Sequence, residues 1–192
     1  MEIKWHGGSL VSVKTGFAIV YFDYSIDKLP EPDKYKQIIV CTIPNDINPS
    51  LNKHKDRFII NQPGEYEISG VEIRIIPVNN RQIAILKYEN NTLASFNLDT
   101  TPSDKVLKLV NGINILLLSV GKNNLDIKSS SSICNQVEPQ VLIPIDYQEL
   151  KEIDLFLKNE NFNREDILDK YQFSKSDLNT EERQNVLLKP QK

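Results

Sequence analysis

Four aspartates each close or follow an apolar run. Asp23 ends IVYFD, Asp46 follows IIVCTIPN, Asp99 follows ASFNL and Asp146 follows VLIPI. If those strand ends converge, their carboxylates meet, and carboxylate oxygens suit hard divalent cations such as Mg²⁺, Mn²⁺ or Ca²⁺. His6, in the turn Trp5-His6-Gly7-Gly8-Ser9, would add one nitrogen. Without a cation, mutual repulsion would raise some of these pKa values. A plainer reading stands beside this one. Aspartate recurs after strands because its side chain caps turns and helices, and Asp99-Thr100-Thr101-Pro102 has the form of a helix entry.

Other chemistries find less support. The chain holds two histidines, His6 and His54, and two cysteines, Cys41 and Cys134. His54 lies in the charged run Lys53–Arg57 (KHKDR), which reads as a solvated loop, with a phosphate or nucleic-acid contact as the alternative. Cys41 sits in an apolar strand pattern and Cys134 in a helical one, so both read as buried thiols. Ser9 follows a Gly-Gly turn and lacks the strand–turn–helix setting of a nucleophilic serine.

The elements that must position these residues are β-rich first and mixed later. Glu2–Trp5, Leu10–Val13 and Phe17–Phe22 are short apolar or alternating runs, separated by Gly7-Gly8 and Thr15-Gly16. Gln37–Cys41 is continuously apolar and reads as a strand buried on both faces. Phe58–Ile60, Tyr66–Ile68, Val71–Val78, Arg81–Tyr88 and Leu93–Asn97 follow, with Glu65 and Glu67 expected on one exposed face. From there, helical patterns over Pro102–Val110, Asp126–Val137 and Glu149–Leu157 alternate with buried strands at Ile113–Val120 and Gln140–Ile145. Asn159–Lys192 is polar, with a strand pattern at Asn185–Leu188. Ile153, Phe156 and Leu157 fall at helical spacing and predict a helix that packs on the rest. The order suits two packed sheets flanked by helices.

Hydrophobic residues make up 40% and charged residues 26% of 192 positions, enough for one sizeable core of ordinary globular type. A formal net charge of −3 argues against nucleic-acid binding. Met1-Glu2 runs straight into a strand pattern, so no secretory leader is expected. No apolar run approaches the length of a membrane span. With two thiols read as reduced, a cytoplasmic location is expected.

Several phrases, in fixed order, resemble the metallo-β-lactamase fold, and within it the small stand-alone members that open on a W-x-G-H-S phrase. Here that phrase is Trp5-His6-Gly7-Gly8-Ser9. IVYFDYS (19–25), QIIVCTIPNDIN (37–48), QPGEYEISGVEI (62–73), ASFNLDT (94–100), NILLLSVG (114–121) and QVLIPIDY (140–147) follow in the order those members have them. QPGEYEISGVEI is the best single match. The resemblance implies an α/β (α+β) fold, an αββα sandwich over 1–150, with 151–192 as a C-terminal helix and polar extension packing on it. It places the strand ends carrying Asp23, Asp46, Asp99 and Asp146 at one edge, where such enzymes hold zinc.

It also exposes a departure. Gly8 stands where the opening phrase has histidine, and Ile43 and Asn45 or Asn48 stand in the histidine-rich loop. Phe96 stands near the next histidine, and Asp146 replaces the last. Asp99 matches the aspartate that bridges metals. Zinc hydrolases use imidazoles to hold the ion and lower the pKa of its water, and two histidines cannot rebuild that set. The chain is therefore expected to be a catalytically inactive protein of this fold, without a cofactor, that binds or scaffolds a protein partner. The alternative is a Mg²⁺- or Mn²⁺-dependent hydrolase using Asp46, Asp99 and Asp146, with His6 and Asp23 as further candidate ligands.

Overall fold

The computed structural model describes residues 1–24, 36–42, 57–178 and 182–191, with the backbone alone at 175 and 176. Asp46, His54, Ile43, Asn45 and Asn48 lie outside the described residues.

Two mixed sheets pack face to face. The six-stranded sheet runs β13-β1-β2-β3-β4-β5 and the seven-stranded sheet β14-β11-β10-β9-β8-β7-β6. The strands are β1 (Glu2–Trp5), β2 (Val11–Lys14), β3 (Ala18–Tyr24), β4 (Gln37–Thr42), β5 (Arg57–Ile60), β6 (Gly64–Ile68), β7 (Val71–Val78), β8 (Arg81–Tyr88), β9 (Asn91–Asn97), β10 (Ile115–Ser119) and β11 (Val141–Ile145). Four two-residue strands complete the set: β12 (Ile167–Leu168), β13 (Tyr171–Gln172), β14 (Gln184–Asn185) and β15 (Leu187–Leu188).

Each sheet changes direction once its hairpins give way to crossovers. β6 to β9 are antiparallel, whereas β9, β10, β11 and β14 are parallel. Parallel neighbours need a crossover, supplied by α1 (Asp104–Lys108) and α2 (Ile127–Val137). One face of β9–β11 meets the other sheet, so the helices cover the opposite face. Strands β10 and β11 are buried at every position, as the runs ILLLS and VLIPI demand of strands covered on both sides.

The helices are shorter than their sequence patterns. Pro102 stays outside α1, and its final turn tightens to i→i−3 bonds from Leu109 N–H to Val106 O and from Val110 N–H to Leu107 O, the geometry of a fraying end. α2 starts on Asp126, whose Oδ1 accepts from Ser129 N–H at 2.8 Å, an N-cap that offsets the poor helix propensity of its serines. The third helical pattern is split into a 3-10 turn at Leu150–Ile153 and α3 (Asp154–Asn159). Ile153, Phe156 and Leu157 are buried.

The stretch after Asn159 is more ordered than its polarity suggests. β13 adds to the six-stranded sheet beside β1, and β14 adds to the seven-stranded sheet beside β11. Phe162, Tyr171, Phe173, Leu178 and Val186–Leu188 are buried. Met1 ammonium donates to Phe173 O at 2.9 Å. Among the described residues, no helix is long and apolar enough to cross a membrane.

Candidate functional site

β3 carries a register irregularity between Tyr21 and Tyr24 where it pairs with β4. In a regular strand neighbours point to opposite faces, so Phe22 and Asp23 would part. Here both are buried. Asp23 takes φ +52°, a left-handed conformation that aspartate accepts more readily than most residues. The bulge therefore turns a carboxylate into the gap between the sheets, an established use of bulges.

Amide groups from the opposite sheet receive it. Gln82 Nε2 on β8 donates to Asp23 Oδ1 at 2.9 Å and to Thr42 O at 2.9 Å. Asn97 Nδ2, the last residue of β9, donates to Asp23 Oδ2 at 3.1 Å. Gln82 and Asn97 are cross-strand partners in the β8–β9 ladder, so they share a face and reach the same carboxylate. Arg81 Nη1 donates to Asn97 Oδ1 at 2.9 Å, which fixes that amide's orientation because the oxygen must face the guanidinium.

Burial pushes the Asp23 carboxyl up to about 6. The two amide donors oppose the rise, the charge of Asp146 adds to it, and Arg81 opposes it again. Asp23 is thus an ionised, desolvated group at neutral pH, held by hydrogen bonds to its charged form.

Asp146 follows β11 at φ +62° and accepts from Asn124 Nδ2 at 2.9 Å. Gly8 lies beside it: at φ +55°, a Cβ on Gly8 would stand 3.7 Å from Asp146 Oδ1. Gly8 and Asp146, two positions where the sequence resemblance expects histidine, are therefore neighbours in space. Trp5 anchors this turn, donating from Nε1 to Gly8 O at 2.7 Å and packing on Tyr147 at a ring distance of 4.7 Å.

The other candidate ligands are placed differently. Asp99 is partly exposed and lies 3.8 Å from Arg81 Nε. His6 is half-buried and its Nε2 lies 2.7 Å from Ser12 Oγ. Burial, followed by the charge of Lys4, lowers its pKa. Among the described residues, no three His, Cys, Asp or Glu side chains gather in a way that could hold a metal ion. The hydrogen-bond donors around Asp23 are amide N–H groups, with the Arg81 guanidinium behind Asn97, and they suit a carboxylate. The residues that surround Asp23 therefore do not fit a zinc ion.

Phe96 is not part of this edge. It pairs with Ile83 on the face opposite to Gln82 and Asn97 and is fully buried. Asn97, one residue on, is the side chain that enters the site. The sequence reading passed over Arg81, Gln82, Asn97 and Asn124. A signal for Gln82 was present, since a glutamine inside the otherwise apolar run QIAIL must find a partner once buried. Cys41 and Cys134 are free and buried, and burial raises both thiols, Cys134 to about 12, so neither is a ready nucleophile.

Two sheets of six and seven strands, crossover helices and a carboxylate at the strand ends can be compared with known proteins. No protein-family model and no curated protein matches the chain. Solved structures do. A proposed Zn-dependent hydrolase of the metallo-β-lactamase superfamily from Thermotoga maritima superposes with a TM-score of 0.75 at 17% identity, over 98% of each chain. The fold is the metallo-β-lactamase fold. Igni18, a metallo hydrolase from Ignicoccus hospitalis, gives a TM-score of 0.63 at 14% identity, over 100% of this chain and 96% of its own. The metallo-β-lactamase fold protein YhfI from Bacillus subtilis gives 0.61 at 10% identity, over 98% and 95%. At such identities the likeness speaks for the metallo-β-lactamase fold alone, because fold does not carry function with it.

Proposed function

We propose that this chain is a non-catalytic protein of the metallo-β-lactamase fold that works by binding a protein partner. The observation that carries the reading is the enclosure of Asp23. Gln82 and Asn97 each present an N–H to one of its oxygens, and Arg81 backs Asn97. Zinc hydrolysis needs an open coordination position and a bound water. The polar clamp around Asp23, closed by amide donors, supports the reading that such a position is missing. Gly8 and Asp146, side by side without an imidazole, support the same reading. The two buried thiols suit a reducing compartment, and a cytoplasmic location goes with the proposal.

The test is elemental analysis of the purified protein after incubation with Zn²⁺, Mn²⁺ and Mg²⁺ and desalting, run beside a panel of phosphodiester and lactone substrates. The expected result is no stoichiometric metal and no chelator-sensitive turnover. One or two metals per chain, lost on Asp146→Ala, would overturn the proposal, as would hydrolysis abolished by chelator. Either outcome would favour a Mg²⁺- or Mn²⁺-dependent hydrolase using Asp46, Asp99 and Asp146.

A further inference from the structure

Among the described residues, the seven-stranded sheet ends on β6, which pairs with β7 alone. Among the described residues, no backbone hydrogen bond reaches the free side of β6. The strand Gly-Glu-Tyr-Glu-Ile keeps continuous register over five residues, without proline. An edge of this kind is a template for another strand.

The side chains beside that edge say what sort of strand fits. Two cross-strand rows cross the solvent face of the sheet. In one, Glu65 stands opposite Arg74, and Arg74 Nε lies 3.3 Å from Glu65 Oε1. In the other, Glu67 stands opposite Glu72, and Glu72 opposite Lys87. Lys87 Nζ contacts both Glu72 oxygens, at 2.8 and 3.1 Å. That row therefore reads base, acid, acid, and ends at the open edge. Like charges directly opposite each other are destabilising, and among the described residues Glu67 has no cation to offset Glu72. A depression of about 380 Å³ opens along these rows, with Ile85 and Thr92 in its lining. It has room for the aliphatic stem of a long basic side chain.

A second copy of this chain does not meet the requirement. Antiparallel pairing of two β6 strands about Tyr66 would set Glu65 against Glu67 twice, adding like-charge pairs. We propose that β6 is a docking strand that accepts an extended segment of a partner protein, with a lysine or arginine opposite Glu67. Main-chain bonds along β6 supply the attachment and the basic residue supplies the selection, as in strand addition generally. The proposal rests on the reading of the chain as a binding protein and names the chemistry of its partner.

The test is a titration of the isotope-labelled full chain, followed by amide NMR, with a capped peptide of alternating Lys and Val and its Glu–Val counterpart. The expected result is saturable shifts confined to residues 64–68 and their β7 neighbours, with the lysine peptide only. Glu67→Lys relieves the Glu67–Glu72 repulsion, so it leaves the fold intact. It should weaken the lysine peptide about tenfold and admit the glutamate peptide. No shifts at 64–68 at millimolar peptide, or equal affinity in Glu67→Lys, would overturn the proposal. Metal uptake or chelator-sensitive hydrolysis would overturn the binding reading without altering these titrations, so the two failures are told apart.

Discussion

Wild-type protein loses stability relative to Asp23→Asn as pH rises from about 4 to about 7, by about 3 kcal/mol in all. The Asp23 carboxyl sits at about 6 in the folded protein, against 3.8 for an unburied aspartate. The folded state thus holds this proton more tightly than the unfolded chain. Below both values the two states carry it equally and no cost arises. Above both, the folded state bears a desolvated carboxylate. The sign is opposite to that of Glu2, Asp126, Glu152, Asp154 and Asp177, whose pKa values are lowered and whose contributions fade as pH falls. The difference between wild type and Asp23→Asn cancels those groups. Urea unfolding of both proteins across this window checks the expectation, and a difference that stays flat with pH would sink it.

The second large effect is expected at Gly121, just beyond β10. A Cβ there would lie 1.9 Å from Asp146 O and 3.0 Å from its carbonyl carbon. Both are backbone atoms at the end of β11, so no side-chain rotation relieves the contact. Gly121→Ala must separate the ends of β10 and β11, which carry Val120 N–H to Ile145 O at 3.0 Å. We expect a loss of about 3 kcal/mol, the upper end for overpacking, and a fall of roughly 6–12 °C in Tm. The neighbouring exposed Lys122→Ala should change stability by less than about 0.5 kcal/mol. Thermal unfolding of the two variants checks the pair, and equal Tm values would show that the strand ends yield freely.

Much of the framework was readable from local pattern. The strands Val71–Val78 and Arg81–Tyr88 have the bounds read from the sequence, although Ile76 and Ile83 are buried on the face that also carries Glu72 and Lys87. The continuous apolar runs at β4, β10 and β11 announced strands covered on both faces. Less was readable where elements are short. After Asn159 the strand pattern at Asn185–Leu188 overlaps β14 and β15, whereas β12 and β13 are set by their pairing, and no periodicity operates over two residues.

The candidate site divides along the same line. Asp23 and Asp146 were visible as aspartates ending apolar runs, and Gly8 as a departure from a histidine phrase. Phe96 stands one residue before Asn97, and in a strand one residue changes the face. Phe96 looks away from the inter-sheet edge, whereas Asn97 donates to Asp23.

By itself, the sequence determined the order of strands and helices, the two-sheet architecture and the scarcity of imidazoles. Those properties are written in composition and in the faces that alternation assigns. Only the tertiary structure decided that Asp23 points inward and what receives it. Its partners lie 59 and 74 residues further along the chain and on the other sheet, and they meet it because a bulge in β3 shifts the parity of one strand. Local pattern carries no record of such a shift, since it arises from how two strands pair and two sheets stack.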